Sequence, residues 1–170
     1  MLAAALLLLA PQTPLIFMGQ EYDEPNPFLF FTDFGDPVLQ KAVREGRQQE
    51  FKDFNFAGKN VPDPQDPATF QRSTLNWKLT EGENQMLDWY SSLLALRRKY
   101  VTSVERSCKA ELTDGVLHME LPREEPTLKL FARIQGQAQL PEPGLGWERA
   151  LAEEADGLAV SIWVAAPDVR

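Results

Sequence analysis

Residues 2–10 are Leu and Ala throughout, a composition that favours helix and is apolar on every face. Such a helix must be covered by other protein. Pro11 and Pro14 end it, and Leu15, Ile16, Phe17 and Met18 then make a short unbroken apolar run closed by Gly19. That run has the pattern of a strand buried on both faces of a parallel sheet. Helix, tight connection and buried strand make one unit of an α/β architecture. One unit cannot bury itself, because a parallel strand needs neighbours and crossover helices. The chain therefore reads as starting inside a larger fold.

Between Gly19 and Thr80 the periodicity is lost. Pro25, Pro27, Pro37, Pro62, Pro64 and Pro67 break up any long element, and an irregular segment of this length inside a domain is usually a functional loop or lid. One helical island stands within it, from Pro37 to Phe54, where Val38, Ala42, Val43 and Phe51 alternate with charged and amide side chains as on a surface helix. A clearer helix follows. Thr80 and Glu83 form an S/T-x-x-E capping box, and Met86, Leu87, Tyr90, Leu93 and Leu94 recur at helical spacing to Tyr100. Arg97, Arg98 and Lys99 fall in the last turns, where cations suit the negative end of the helix dipole.

After Val101 the pattern changes to short alternating runs, 116–121, 127–134 and 158–165, separated by Pro and Gly. These predict antiparallel strands of a small β domain. Residues 144–155, GLGWERALAEEA, read as a turn and a short helix. The organisation expected is thus α/β plus β, with residues 1–102 as one part and 103–170 as the other.

Composition narrows the function classes. The chain has 170 residues and a formal charge of -8, which disfavours nucleic acid as a partner because phosphate binding needs a cationic surface. A hydrophobic share of 44% is enough for a core. Cys108 is the only cysteine and His118 the only histidine, so no internal disulfide, Cys-based zinc site or resident metal or cofactor is expected. The setting suggested is a reducing cytoplasm. No basic residue precedes Lys41, so residues 1–10 lack the charged start of a secretory signal, and prolines interrupt them well short of the roughly 20 apolar residues that span a bilayer.

Gly19, Gln20, Glu21 and Tyr22 follow directly on the predicted strand, and in parallel α/β folds ligands bind beyond the carboxyl ends of strands. Glu21 is then the best-placed acid. The next segment sets Phe28, Phe30, Phe31 and Phe34 around Asp33. Flat apolar rings beside carboxylates and amides are what a sugar-binding cleft requires. The bland alternative is that the phenylalanines pack and that Glu21 ties down loop amides. His118 alternates with Leu117 and Met119 and should face solvent. Cys108 and the four tryptophans read as incidental or packing residues.

The segments AAALLLLAPQTPLIFMGQEY, PFLFFTDF, REGRQQEF, VPDPQDPATFQRSTLNW and MLDWYSSLLALRRKY, in that order, resemble the C-terminal part of the maltooligosyltrehalose trehalohydrolase family in the α-amylase superfamily. The resemblance covers residues 3 to about 101. It implies that 15–18 is the last strand of a (β/α)8 barrel, that 83–100 is its last helix, and that a C-terminal β-sandwich follows. It also implies a retaining hydrolysis of the α-1,4 bond beside a terminal trehalose unit. The catalytic carboxylates of that family match no residue of this chain, so the chain alone is expected to be inactive and to require an N-terminal barrel portion. Gln20, Glu21, Tyr22, Phe31 and Asp33 are the substrate-side candidates that the resemblance supports, with α-glucan or maltooligosyltrehalose as ligand. A non-catalytic α-glucan-binding module, or a piece of a branching or debranching enzyme, stays open beside this.

Overall fold

The apolar run at residues 2–10 does become a helix, α1 (Leu2–Leu9), and its cover is supplied within the chain. A computed structural model describes residues 1–53, 61–101, 107–121 and 127–166. The expected domain boundary at 102 lies outside the described residues. The chain divides into two units, one of residues 1–17 with 84–170 and one of residues 18–83.

The first unit is built around one sheet. Helix α4 (Glu81–Tyr100) starts at the expected capping box: the Thr80 amide donates to the Glu83 carboxylate, and the Glu83 amide donates to Thr80 Oγ1 at 3.3 Å. Beyond it come β1 (Lys109–Thr113), β2 (Val116–Leu121), β3 (Leu128–Arg133), β4 (Trp147–Ala155) and β5 (Leu158–Ala165). All pairings are antiparallel, in a five-stranded sheet of order β1-β2-β3-β5-β4.

Alternation assigns the two faces of that sheet. Met119, Leu121, Leu128, Leu130, Val160 and Ile162 point to one side, where they pack with Ala4, Ala5, Leu8 and Leu9 of α1 and with Trp89, Tyr90 and Leu93 of α4. Burying these side chains drives the unit together, at about 1.5–3 kcal/mol for each fully covered Leu or Ile. Trp89 Nε1 adds a hydrogen bond to the Met1 carbonyl at 3.0 Å. On the other face Val116, Phe131 and Trp163 are covered by Ala138, Leu140 and Trp147. Among the described residues that face carries a connecting segment and no second sheet.

Three expectations need correction. Residues 144–155 are not a turn and short helix, because Trp147–Ala155 forms β4, paired along β5 with a register shift between Arg149 and Leu151. The helix-forming Glu and Ala of this segment are overridden by backbone pairing to the apolar β5. Leu15–Phe17 has no strand assignment, and Leu15 is 87% exposed, since no neighbouring strand within the described residues offers it a ladder. His118 is only about one-third exposed rather than facing solvent: its ring stacks on Phe131 at 4.5 Å, with Nε2 at 3.2 Å from Glu120 Oε1. Burial outweighs the neighbouring Glu120 and keeps the His118 pKa below its ordinary value.

The second unit contains α2 (Pro37–Asp53), as the sequence predicts, and a short α3 (Pro67–Arg72). Pro67 sits in the first turn, and the Asp66 carboxylate caps α3 by accepting from the Ala68 amide at 2.9 Å. Much of what remains is irregular backbone, held by side-chain hydrogen bonds.

Candidate functional site

Prolines rule out a long ladder between the two irregular stretches of the second unit, so their backbone groups find side-chain partners instead. Asn26 Nδ2 donates to the Thr74 carbonyl at 2.8 Å, and the Leu29 amide donates to Ser73 Oγ at 3.0 Å. The Thr32 amide donates to the Pro64 carbonyl at 2.8 Å. Residues 26–34 therefore run along 63–74, stitched at intervals.

Gln20, Glu21 and Tyr22 form a single 3-10 turn, flanked by Gly19 at φ 85° and Asp23 at φ 60°. Tyr22 is buried, and its ring lies 6.0 Å from that of Trp77. Trp77 itself is 73% exposed, which departs from the packing role expected of it. Glu21 is half-buried, and its carboxylate meets no donor or cation among the described residues. Gln20 is exposed.

The carboxylate that ties down this loop is Glu24, which the sequence reading did not single out. Its Oε2 accepts from the Tyr22 hydroxyl at 3.1 Å and from the Asn76 amide at 2.7 Å, while Oε1 accepts from the Asn26 amide at 2.9 Å. Burial alone would raise the Glu24 pKa. The Asn76 and Asn26 amides and the Tyr22 hydroxyl outweigh it and hold the carboxyl below the ordinary value. Burial, followed by the hydrogen bond to Glu24 and the charges of Glu24, Glu21 and Glu83, raises Tyr22.

A depressed folded-state pKa means that this carboxylate stabilises the loop above the ordinary Glu value of about 4.3, and that the contribution is lost as pH falls through the lower folded value. Acidification through that window should therefore shift the Trp77 indole resonance of the wild-type chain. In Glu24→Gln the resonance should sit at its displaced position already at neutral pH and respond little to acid. A wild-type resonance that stays fixed through the same window would remove Glu24 as the anchor.

Phe31 and Asp33 lie elsewhere in the unit, in an open groove of about 520 Å³. Phe31, Thr32 and Asp33 form one side, with Pro64, Gln65 and Phe70 opposite and Asp66 and Pro67 completing the lining. The walls are fixed to each other. Gln65 Nε2 donates to Thr32 Oγ1 at 2.7 Å, and Gln65 Oε1 accepts from the Phe34 amide at 3.3 Å. Beneath, Asp63 accepts from the Gln65 amide at 3.0 Å and from Arg44 Nε at 2.7 Å. The Gln65 amide is the leading cause that holds the Asp63 carboxyl below its ordinary value, with Arg44 adding to it against burial.

The structure thus separates the expected five residues into two groups. Phe31 and Asp33 share the groove; Gln20, Glu21 and Tyr22 do not line it. Gln65, Asp66 and Phe70 were missed as site residues, although the capping pattern D-P-x-x-F was there to be read as a helix start that presents Phe70. Among the described residues no group of three or more His, Cys, Asp or Glu side chains is arranged to hold a metal ion. No helix among them is long and apolar enough to cross a membrane. Cys108 packs against the core of the first unit.

No family model matches the chain. It is 42% identical over 110 residues to the malto-oligosyltrehalose trehalohydrolase of Saccharolobus solfataricus, an alignment that takes 65% of this chain and 18% of that protein. With the enzyme of the same name from Arthrobacter ramosus it shares 44% over 145 residues, 84% of this chain and 25% of the relative. With that of Deinococcus radiodurans it shares 50% over 100 residues, 57% of this chain and 16% of the relative. The chain therefore spans only 16% to 25% of the length of these relatives. A crystal structure of an alpha amylase from Salmonella typhimurium superimposes with a TM-score of 0.74 at 38% identity, over 96% of this chain and 30% of that one. The chain is similar to a C-terminal part of malto-oligosyltrehalose trehalohydrolases, and its architecture is α-amylase-like.

Proposed function

We propose that this chain is the C-terminal portion of a retaining glycoside hydrolase that releases trehalose from maltooligosyltrehalose by cleaving an α-1,4-glucosidic bond. The observation that carries the reading is the similarity to seven curated relatives of one name, at 42% to 50% identity. In this reading residues 1–102 complete a (β/α)8 barrel, with Leu15–Met18 as its last strand and α4 as its last helix, and residues 103–170 form a small β-sandwich domain. The exposure of Leu15 supports it, since a strand written for burial stands uncovered where a barrel neighbour would pair with it. Gln20, Glu21, Tyr22, Phe31 and Asp33 are the residues proposed on the substrate side, and the cytoplasm is the compartment proposed.

A retaining mechanism needs a nucleophile and a general acid about 5 Å apart. No pair in this chain matches those family residues, so chemistry must come from a barrel portion outside it. The chain alone should release no trehalose from maltooligosyltrehalose. Combined with the N-terminal barrel portion of the Arthrobacter ramosus relative, it should restore release, and Glu21→Gln should lower the restored turnover. Trehalose formed by the pure chain and abolished by Glu21→Gln would overturn the assignment, as would a combined protein that forms no trehalose but branches or debranches glucan.

A further inference from the structure

The groove of the second unit is built from one unit alone and is braced independently of Gln20–Tyr22, which raises the question of what it holds without any barrel. We infer that it is a self-sufficient binding site for a neutral saccharide, with Phe70 as the stacking platform and Asp66, beside Asp33, as an acceptor for sugar hydroxyls. The inference rests on the proposed function for its ligand class and on the groove for everything else.

Phe70 is 54% exposed, so a large part of its ring is open to a ligand in the groove. It meets Phe31 at 5.1 Å between centroids with planes at 71°, so the two rings do not cover each other face to face. The ring is also held in place. Thr69, its buried neighbour, donates to the Asp63 carbonyl at 2.7 Å, and Asp66 caps the turn that carries it.

The polar groups have the signs that hydroxyls need. Asp66 uses one oxygen on the Ala68 amide and leaves the other without a donor among the described residues. The Asp33 carboxylate likewise meets no donor or cation among them. Thr32 Oγ1 accepts from Gln65 Nε2, which leaves its own proton to donate. Two acceptors, one donor and a ring suit a ligand that has both C–H faces and hydroxyl edges. Among the described residues no Lys or Arg lines the groove, so a phosphorylated or carboxylated sugar would meet the like charge of Asp33 and Asp66. The volume of about 520 Å³ falls within the range of small-ligand sites.

The test is an amide NMR titration of the whole chain with trehalose and maltose, with glucose 6-phosphate and tetramethylammonium as charged controls. Trehalose or maltose should shift the amides of residues 31–33, 65–66 and 68–70, with a dissociation constant on the order of millimolar. Phe70→Ala should weaken binding about tenfold. Asp66→Asn, which keeps a capping side chain, should weaken it several-fold, roughly the loss of one hydrogen bond. Trp77→Ala, outside the groove, should leave it unchanged. No shift with either saccharide, shifts that survive in both Phe70→Ala and Asp66→Asn, or a response to tetramethylammonium alone would overturn the inference. Its failure is distinct from failure of the proposed function: trehalose release by the combined protein with no saccharide binding by the chain sinks only the groove. Binding without release sinks only the hydrolase reading.

Discussion

Arg97→Ala should lower the stability of the first unit by about 3 kcal/mol, a larger effect than a surface arginine normally carries. Its guanidinium donates through Nη1 to the Leu8 and Ala10 carbonyls, both at 2.7 Å, and through Nη2 to the Gln12 carbonyl at 2.9 Å. The Leu8 carbonyl is one that α1 leaves unpaired at its end, Ala10 is its C-cap and Gln12 lies just beyond, and a cation there also meets the negative end of the dipole. Arg97 lies in the last turn of α4, yet its work is done at the end of a different helix. Alanine would strand acceptors beside a buried helix, so the cost combines lost charge-assisted bonds with their desolvation. Urea unfolding followed by circular dichroism should show the midpoint fall by roughly 1–3 M, and Arg97→Lys should recover part of it, because an ammonium cannot span three carbonyls as a fork does. A midpoint unchanged in Arg97→Ala would mean that water replaces the guanidinium at no cost.

Gly19→Ala should have a comparable effect, confined to the second unit. Gly19 has φ +85°, a conformation that costs an L-residue about 1–2 kcal/mol. An added Cβ would also lie 2.6 Å from the Glu24 Cβ, so the backbone or the Glu24 anchor must move, and overpacking of this kind costs about 1–3 kcal/mol. Together these amount to about 2–5 kcal/mol. Faster amide exchange at Tyr22, Asn26 and Asn76, with the strands of the first unit unaffected, is the expected signature. Unchanged exchange at those three amides would show that the loop tolerates the methyl group and that Glu24 is not locked against Gly19.

The parts legible from sequence were those whose local pattern and tertiary role agree. The capping box set the start of α4, and period-two alternation set β2, β3 and β5. Segments whose role depends on a neighbour were less legible. β4 carries Glu and Ala that favour helix, and only its pairing with β5 makes it a strand. β1, KAELT, is exposed along its whole length and shows no apolar face to betray it. Leu15–Met18 has the composition of a buried strand without the partner that would make it one. At the site, Phe31 and Asp33 were legible as an aromatic run beside an acid, whereas Phe70 and Asp66 reach the groove only through pairing of segments more than thirty residues apart, such as Gln65 with Thr32. Glu21 was favoured over Glu24 because it follows the apolar run directly. Which carboxylate meets the loop amides was decided by the turn at Gly19, not by sequence order.

The split of the first unit across residues 1–17 and 84–170 sets a timetable for synthesis. α1 leaves the ribosome well before its cover, because the core cluster that holds Leu8 and Leu9 extends to Ile162 of β5. At about 5–20 residues per second, some 150 intervening residues take roughly 8–30 s to appear. For that interval a stretch of bare Leu and Ala is held in the nascent chain with the whole second unit folding behind it. A holdase that grips short apolar segments would find its target there, so the yield of this protein in a cell should depend on chaperone supply during that interval as well as on the final stability of the sheet.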